Sequence, residues 1–255
     1  MSLRIYADAE KASMAAADLG AAKIRAALEE RGAANIVIAT GASQFAMLKH
    51  LTGAPGIDWG RVTMFHLDEY VGLPETHPAS FRRYIRERFI ARLPRALKAA
   101  HFVDGSAPDP ERVCEELGEI IAEHPVDVCF IGIGENGHIA FNDPPADFDT
   151  EKAYLVVHLD EACRKQQLGE GWFAGIDEVP KHAISMSVRQ VLKSRSIINT
   201  VPDKRKAHAV KITFEGELCP DHPASVIRLH PDCETFVDPD AASELSDLAR
   251  TFCRV

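Results

Sequence analysis

The sequence predicts an α/β fold: a single domain over residues 1–255, with a mostly parallel central sheet, helices on both of its faces and a Rossmann-like order of elements. Three observations lead there. Short apolar runs rich in β-branched residues alternate along the chain with longer helix-forming stretches, the rhythm of βαβ units. The most polar and glycine-rich segments fall just after those runs, where open α/β sheets bind their ligands. Of the 255 residues 46% are hydrophobic, enough for one large core, and no linker-like stretch or internal repeat divides them.

Each element has its own signal. Residues 10–31 are rich in Ala, Leu, Lys and Glu and run into Gly32, which predicts a long helix stopped by a glycine. Asn35-Ile36-Val37-Ile38-Ala39 is a buried strand, followed by the turn Thr40-Gly41-Ala42-Ser43 and a helix to about Leu51. Residues 62–67 form a second strand closing on Asp68-Glu69-Tyr70, and helices are expected over 80–92 and 110–123. Further strands are expected over 126–131, ending at Gly132, and over 153–159, 196–201 and 234–237.

Charge and composition exclude several classes of function. A formal net charge of −9 argues against a nucleic-acid partner, which needs a basic stripe to displace counterions. It does not exclude a small anionic substrate held by a local cluster of donors. No stretch approaches the ~20 apolar residues that span a bilayer, so no membrane partner is expected. The residues after Met1 lack a signal-peptide pattern. The six cysteines show no C-x-x-C pair, which removes the zinc-ribbon and thioredoxin readings. Reduced thiols in a cytoplasmic protein without a metal site are the expectation.

Four segments carry chemistry. Ala39-Thr40-Gly41-Ala42-Ser43-Gln44 joins a strand to a helix, so its amides and the helix N-terminus can hold an anion; the plain alternative is an ordinary turn with Ser43 as N-cap. Asp68-Glu69 places two acids at a strand end, one able to face a cleft as a base while the other is salt-bridged or solvated. The third segment runs from Gly132 through Gly134, Asn136, Gly137 and His138 to Asn142-Asp143-Pro144-Pro145. It opens as G-x-G-x-x-G, but the dinucleotide reading fails because too few residues separate Gly137 from Pro144-Pro145 for a helix. Its glycines, Gly134 among them, let the backbone approach a ligand, and His138 is a candidate proton shuttle oriented by Asn136 and Asp143. The fourth segment, Pro202-Asp203-Lys204-Arg205-Lys206, is a basic cluster after a strand, able to close a phosphate site or to remain a solvated face.

Together these segments resemble the glucosamine-6-phosphate deaminase/isomerase family. The resemblance is carried by Asp68-Glu69-Tyr70-Val71-Gly72-Leu73, by Gly137-His138-Ile139-Ala140-Phe141-Asn142 and by Lys206-Ala207, with softer matches at His77-Pro78-x-Ser80-Phe81 and Leu229-His230-Pro231. It implies a sugar-phosphate isomerase type of fold and an enzyme that isomerises and deaminates an amino-sugar phosphate without metal or organic cofactor. The 6-phosphogluconolactonase branch shares the fold but has Asp-Glu-Arg and Gly-His-Thr-Ala-Ser runs at the discriminating positions. A galactosamine-6-phosphate deaminase and a non-catalytic sugar-phosphate sensor are the other rivals.

By that resemblance Asp68 is the base between C2 and C1, and His138 opens the pyranose ring with Asn136 and Asp143 as its partners. Thr40, Gly41, Ala42, Ser43 and Lys206 cradle the phosphate. Residues 158–180 correspond to a lid. Where relatives place a basic phosphate ligand in it this chain has Gln167, so Arg164 or Lys165 is expected to substitute. Ala153 and Leu155 stand where relatives activated by an N-acetylated sugar phosphate carry basic residues, so no such activation is expected. The resemblance leaves open whether the chain acts alone or as a homo-oligomer.

Overall fold

Strand β1 (Ser2–Ile5) and helix α1 (Ala9–Arg31) open the computed structural model, which describes residues 2–247. Asp8 caps α1 by accepting from the Lys11 amide, and Gly32 ends it at φ 77°, a left-handed conformation that glycine adopts without strain. The chain continues through β2 (Ala34–Ile38), α2 (Phe45–Gly53), β3 (Val62–His66), β4 (Asp68–Tyr70), α3 (Phe81–Arg88), β5 (Ala99–His101) and α4 (Pro110–Ala122). There follow β6 (Val128–Ile131), β7 (Tyr154–His158), α5 (Glu161–Gly169), β8 (His182–Met186), α6 (Val188–Leu192), β9 (Ser196–Thr200), α7 (Ala207–Glu215) and β10 (Cys233–Val237).

Seven strands form the main sheet in the order β1-β10-β9-β6-β2-β3-β5, and every neighbouring pair is parallel. The order reverses between β2 and β6, which defines the switch point where a ligand crevice opens at the strands' carboxyl ends. Alanines of α1 pack with α2 and α3 on one face of the sheet. Gly20 permits that approach, because a β-carbon there would overlap the ring of Phe130. Side chains from α4, α6 and α7 cover the opposite face. No helix among the described residues is long and apolar enough to cross a membrane.

The expected parallel sheet is present, with two corrections. The run expected as its fourth strand, now β7, belongs instead to a separate antiparallel sheet of order β4-β8-β7. Asp68-Glu69-Tyr70 is not the end of β3 but the strand β4 of this second sheet. Leu67 is the crossover: its amide donates to the Ile38 carbonyl in the first sheet, and its own carbonyl accepts from Met186 beside the second. An apolar run announces a strand, not its partner. Strands β1, β5 and β8 carry too weak a signal to be read from sequence, because they are short or, in β8, mixed in polarity.

Candidate active site

A cleft of about 550 Å³ opens at the carboxyl ends of β2, β3, β6, β9 and β10. It is lined by Thr40, Gly41, Ala42, Ser43, Asp68, Gly134, His138 and Lys206 together, so the four chemistry-bearing segments converge on one crevice.

One end of the cleft is built from backbone. After β2 the chain passes Gly41 at φ 97° into a 3-10 turn, Ala42–Gln44, that leads into α2. The first amides of such a turn lack partners within it and carry partial positive charge. Ser43 lies inside the turn and does not cap it. Two bonds hold the loop: Tyr84 Oη donates to the Gly41 carbonyl at 3.0 Å, and Gln44 Nε2 donates to the Thr200 carbonyl at 3.1 Å. Across the cleft Lys204–Lys206 form a matching turn into α7. Lys206 is buried, with 8% exposure, and its ammonium has no hydrogen bond or ion pair to any described residue. Burial lowers its pKa, while Glu135 and Glu170 pull it back up. An unpartnered buried cation beside two helix N-termini is an arrangement able to hold an anion.

The two acids have divided their work. Glu69, fully buried, accepts from the Tyr70, Phe81 and Arg82 amides at 3.0, 3.1 and 2.8 Å and from Ser80 Oγ at 2.9 Å. It ties β4 to the N-terminus of α3. Asp68 points into the cleft, is 5% exposed, and makes no side-chain hydrogen bond or ion pair to a described residue. Burial first, and then the charge of Glu69, raises its pKa well above the ordinary carboxylate range.

His138 stands on the loop after β6. Its Nδ1 lies 3.0 Å from Asp143 Oδ1. Burial pushes the Asp143 carboxyl up, but the His138 contact, the Asn136 amide at 3.0 Å and the Asp160 N–H at 2.9 Å together hold it below the usual range. Contrary to expectation, Asn136 does not reach the imidazole. Its Oδ1 accepts from the His138 backbone N–H at 3.1 Å, and its Nδ2 serves Asp143 and Asp160. It therefore acts on the ring through Asp143. Gly134 is required beside His138, since a β-carbon there would overlap the imidazole. Ala140 in the same loop has φ 52°, a strained conformation for a residue with a side chain, and Asn142 braces it with bonds from Nδ2 to the Ile139 and Met186 carbonyls at 2.9 and 2.8 Å.

Helix α5 borders the cleft through Gln166 and Gln167, with Glu170 just after it, and Phe173 anchors the segment against Tyr70 and His77. Arg164 is not in the cleft. Its guanidinium is spent on the Ile176 and Val179 carbonyls, bracing this segment from within, so it does not supply the missing cation. Lys165 pairs with Glu161 on the outside. Gln167, by contrast, lines the cleft and accepts from Tyr70 Oη at 2.6 Å, while Gln166 accepts from the Glu135 amide at 2.7 Å. Gln166, Asp160 and the cleft-lining Glu170 are site residues that sequence reasoning misses. Only Asp160 leaves a signal there, as an N-cap type of residue ahead of α5. Leu229-His230-Pro231 proves structural: buried His230 contacts the Ser194 carbonyl at 2.7 Å through Nε2.

His138, Asp143 and Cys163 bring three potential metal donors within 4.8 Å of one another. Burial and the Asp143 and Asp160 charges push the Cys163 thiol far up, which opposes thiolate ligation. Cys114, Cys129, Cys163, Cys219 and Cys233 are all free, and Cys253 lies outside the described residues.

A parallel α/β sheet whose switch-point crevice gathers a buried lysine, two helix N-termini, an unpaired acid and a His–Asp pair suits acid–base chemistry on an anionic substrate. Comparison makes this specific: residues 7–237 match the family of glucosamine-6-phosphate isomerases and 6-phosphogluconolactonase, and the chain belongs to it. It is 35% identical over 216 residues to a glucosamine-6-phosphate deaminase of Lactobacillus delbrueckii subsp. bulgaricus, covering 85% of this chain and 89% of that one. A Listeria monocytogenes protein of the same name is 36% identical over 210 residues, 82% of this chain and 86% of its own. Among solved structures a monomeric glucosamine-6-phosphate deaminase superposes with a TM-score of 0.87 at 31% identity, covering 96% of this chain and all of that one. The 6-phosphogluconolactonase of Trypanosoma brucei reaches a TM-score of 0.76 at 17% identity over 96% of this chain and 98% of its own, a likeness of fold alone.

Proposed function

We propose that this chain is a cytoplasmic amino-sugar-phosphate deaminase that converts glucosamine 6-phosphate and water to fructose 6-phosphate and ammonia, without metal or organic cofactor. The observation that carries the reading is the pairing, in one cleft, of an unpartnered carboxylate of raised pKa with an imidazole backed by a second carboxylate. His138 passes a proton to and from the ring oxygen and opens the pyranose. Asp68 then takes the proton from C2, which the neighbouring C1 carbonyl acidifies, and a proton is returned to C1 of the enolamine. The ketimine now at C2 adds water and expels ammonia. The phosphate, held between residues 40–43 and Lys206, keeps C2 against Asp68, so binding energy far from the reaction supplies orientation.

The cleft also suits an amino sugar. Asp68, Glu135, Glu170, Asp203, Asp238 and Asp240 line it against Lys204, Arg205 and Lys206, a surplus of acids that favours a sugar bearing an ammonium over one bearing an uncharged lactone beside the same phosphate. Residues 158–180 act as the cleft's lid. Paired assays test the reading: ammonia release from glucosamine 6-phosphate and from galactosamine 6-phosphate, beside hydrolysis of 6-phosphogluconolactone. Ammonia release from the gluco sugar is the expected dominant activity; lactone hydrolysis alone would overturn the assignment.

A further inference from the structure

The lid presents the anion seat with charge of the wrong sign. Among the described lid residues lining the cleft, Gln166 and Gln167 are neutral and only Glu170 is ionisable. Its Oε1 lies 3.8 Å from the point where a β-carbon on Gly41 would stand, which puts the carboxylate against the cradle loop itself. Neither this carboxylate nor the Lys206 ammonium on the other wall has a hydrogen bond or ion pair to a described residue. They face the same space without filling it.

We propose that Glu170 sets the affinity of this cleft for the substrate's phosphate: it holds a negative charge against the cradle, and the lid must carry it away before the dianion can seat beside Lys206. The inference rests on residues 40–43 and Lys206 being the phosphate site. Like charges brought together in a half-buried cleft repel far more strongly than in bulk water. Burial already raises the Glu170 carboxyl, with Lys206 and Arg205 pulling it back, so the group is under electrostatic load before any phosphate arrives. The same segment holds Gln166 to the Glu135 amide, Gln167 to Tyr70 and Asp160 to Asp143. These bonds tie the segment that carries Glu170 to the loop of the His138–Asp143 pair.

Inorganic phosphate is the probe, titrated calorimetrically into the full chain and into its Glu170→Gln, Glu170→Ala and Lys206→Ala variants. Trp172 supplies a second readout: it sits on the lid with 41% exposure, while the other tryptophan, Trp59, is fully buried. Both Glu170 variants are expected to bind phosphate about tenfold more tightly and to lower KM with a smaller change in kcat. In the unmodified chain phosphate should shift Trp172 emission, and in Glu170→Gln the shift should shrink. Equal or weaker phosphate binding by both Glu170 variants, or a Trp172 signal unmoved by phosphate in the unmodified chain, overturns the proposal. If Lys206→Ala loses phosphate while the Glu170 variants gain nothing, the cradle stands and this inference alone falls. If Lys206→Ala binds phosphate normally, the cradle reading fails and takes the inference with it.

Discussion

The two ends of the cleft are made of different material. At the proposed anion end the cleft offers main-chain amides at two helix starts, supplemented by one buried lysine, and Tyr84 and Gln44 hold the loop still. At the proton end the working groups are side chains, and two carboxylates there have opposite surroundings. Asp143 receives three donors and is held as an anion; Asp68 receives none, and burial holds it poised to take a proton. In the proposed reaction one acid stabilises charge on its neighbour and the other moves a proton: burial raises both, the charge of Glu69 raises Asp68 further, and only Asp143 has donors in reach to offset it.

Removing the unpaired acid should have the largest effect. Asp68→Asn is expected to lower turnover by about 10²–10⁴-fold or more, the usual worth of a general base, while the protein remains folded. The same substitution should raise stability. A carboxyl whose folded pKa lies above its unfolded value favours the fold at low pH, and that advantage is lost as pH rises from the ordinary carboxylate range through the raised value. At neutral pH Asn escapes the penalty, so Tm is expected to rise by about 2 °C or more, a gap that closes under acid conditions. Near-normal ammonia release by Asp68→Asn would remove it from the mechanism. In the unmodified enzyme kcat/KM should fall on the acid side at a pH above the ordinary aspartate range, because Asp68 must be ionised to act.

Disarming the other acid tests the contrast directly. Asp143→Asn keeps the shape but removes the charge behind His138, and should cost about 10–100-fold in kcat with a displaced pH profile and little change in KM. An unaltered pH profile would reduce Asp143 to a scaffold role. At the anion end Lys206→Ala should do the reverse, raising KM by about tenfold or more for loss of a charge-assisted contact while kcat holds. The smallest effect belongs to Arg164→Ala. Its guanidinium binds carbonyls of its own segment, so KM should change less than about twofold and Tm should fall slightly; a large rise in KM would return Arg164 to the phosphate.

What can be read from sequence follows the same division. The placement of residues 40–43, Asp68 and His138 at the crevice is legible because each lies in a short contiguous segment directly after an apolar run, where a parallel sheet delivers its loops. The partners of His138 are legible only as neighbours. Asn136 stands two residues from the ring, yet its side chain turns to the backbone and to Asp143, a choice no spacing encodes. Arg164 shows the limit for charged residues: its type suits phosphate, but direction on a helix decides what it meets. Glu170 carries no motif at all and becomes visible only when α5 is laid across the cleft. For the fold, the parallel sheet follows from the alternation of runs, whereas the second sheet requires knowing that Leu67 changes allegiance within one residue.

That changeover bears on what the substrate must do. The residue ahead of Asp68 is stitched to Ile38 on one side and Met186 on the other, so the backbone that presents the proposed base is held where the two sheets meet. Accuracy in the proton transfer must then come from how far the sugar is pushed in, and a ligand shortened by one carbon between its phosphate and its amine would sit bound but out of range.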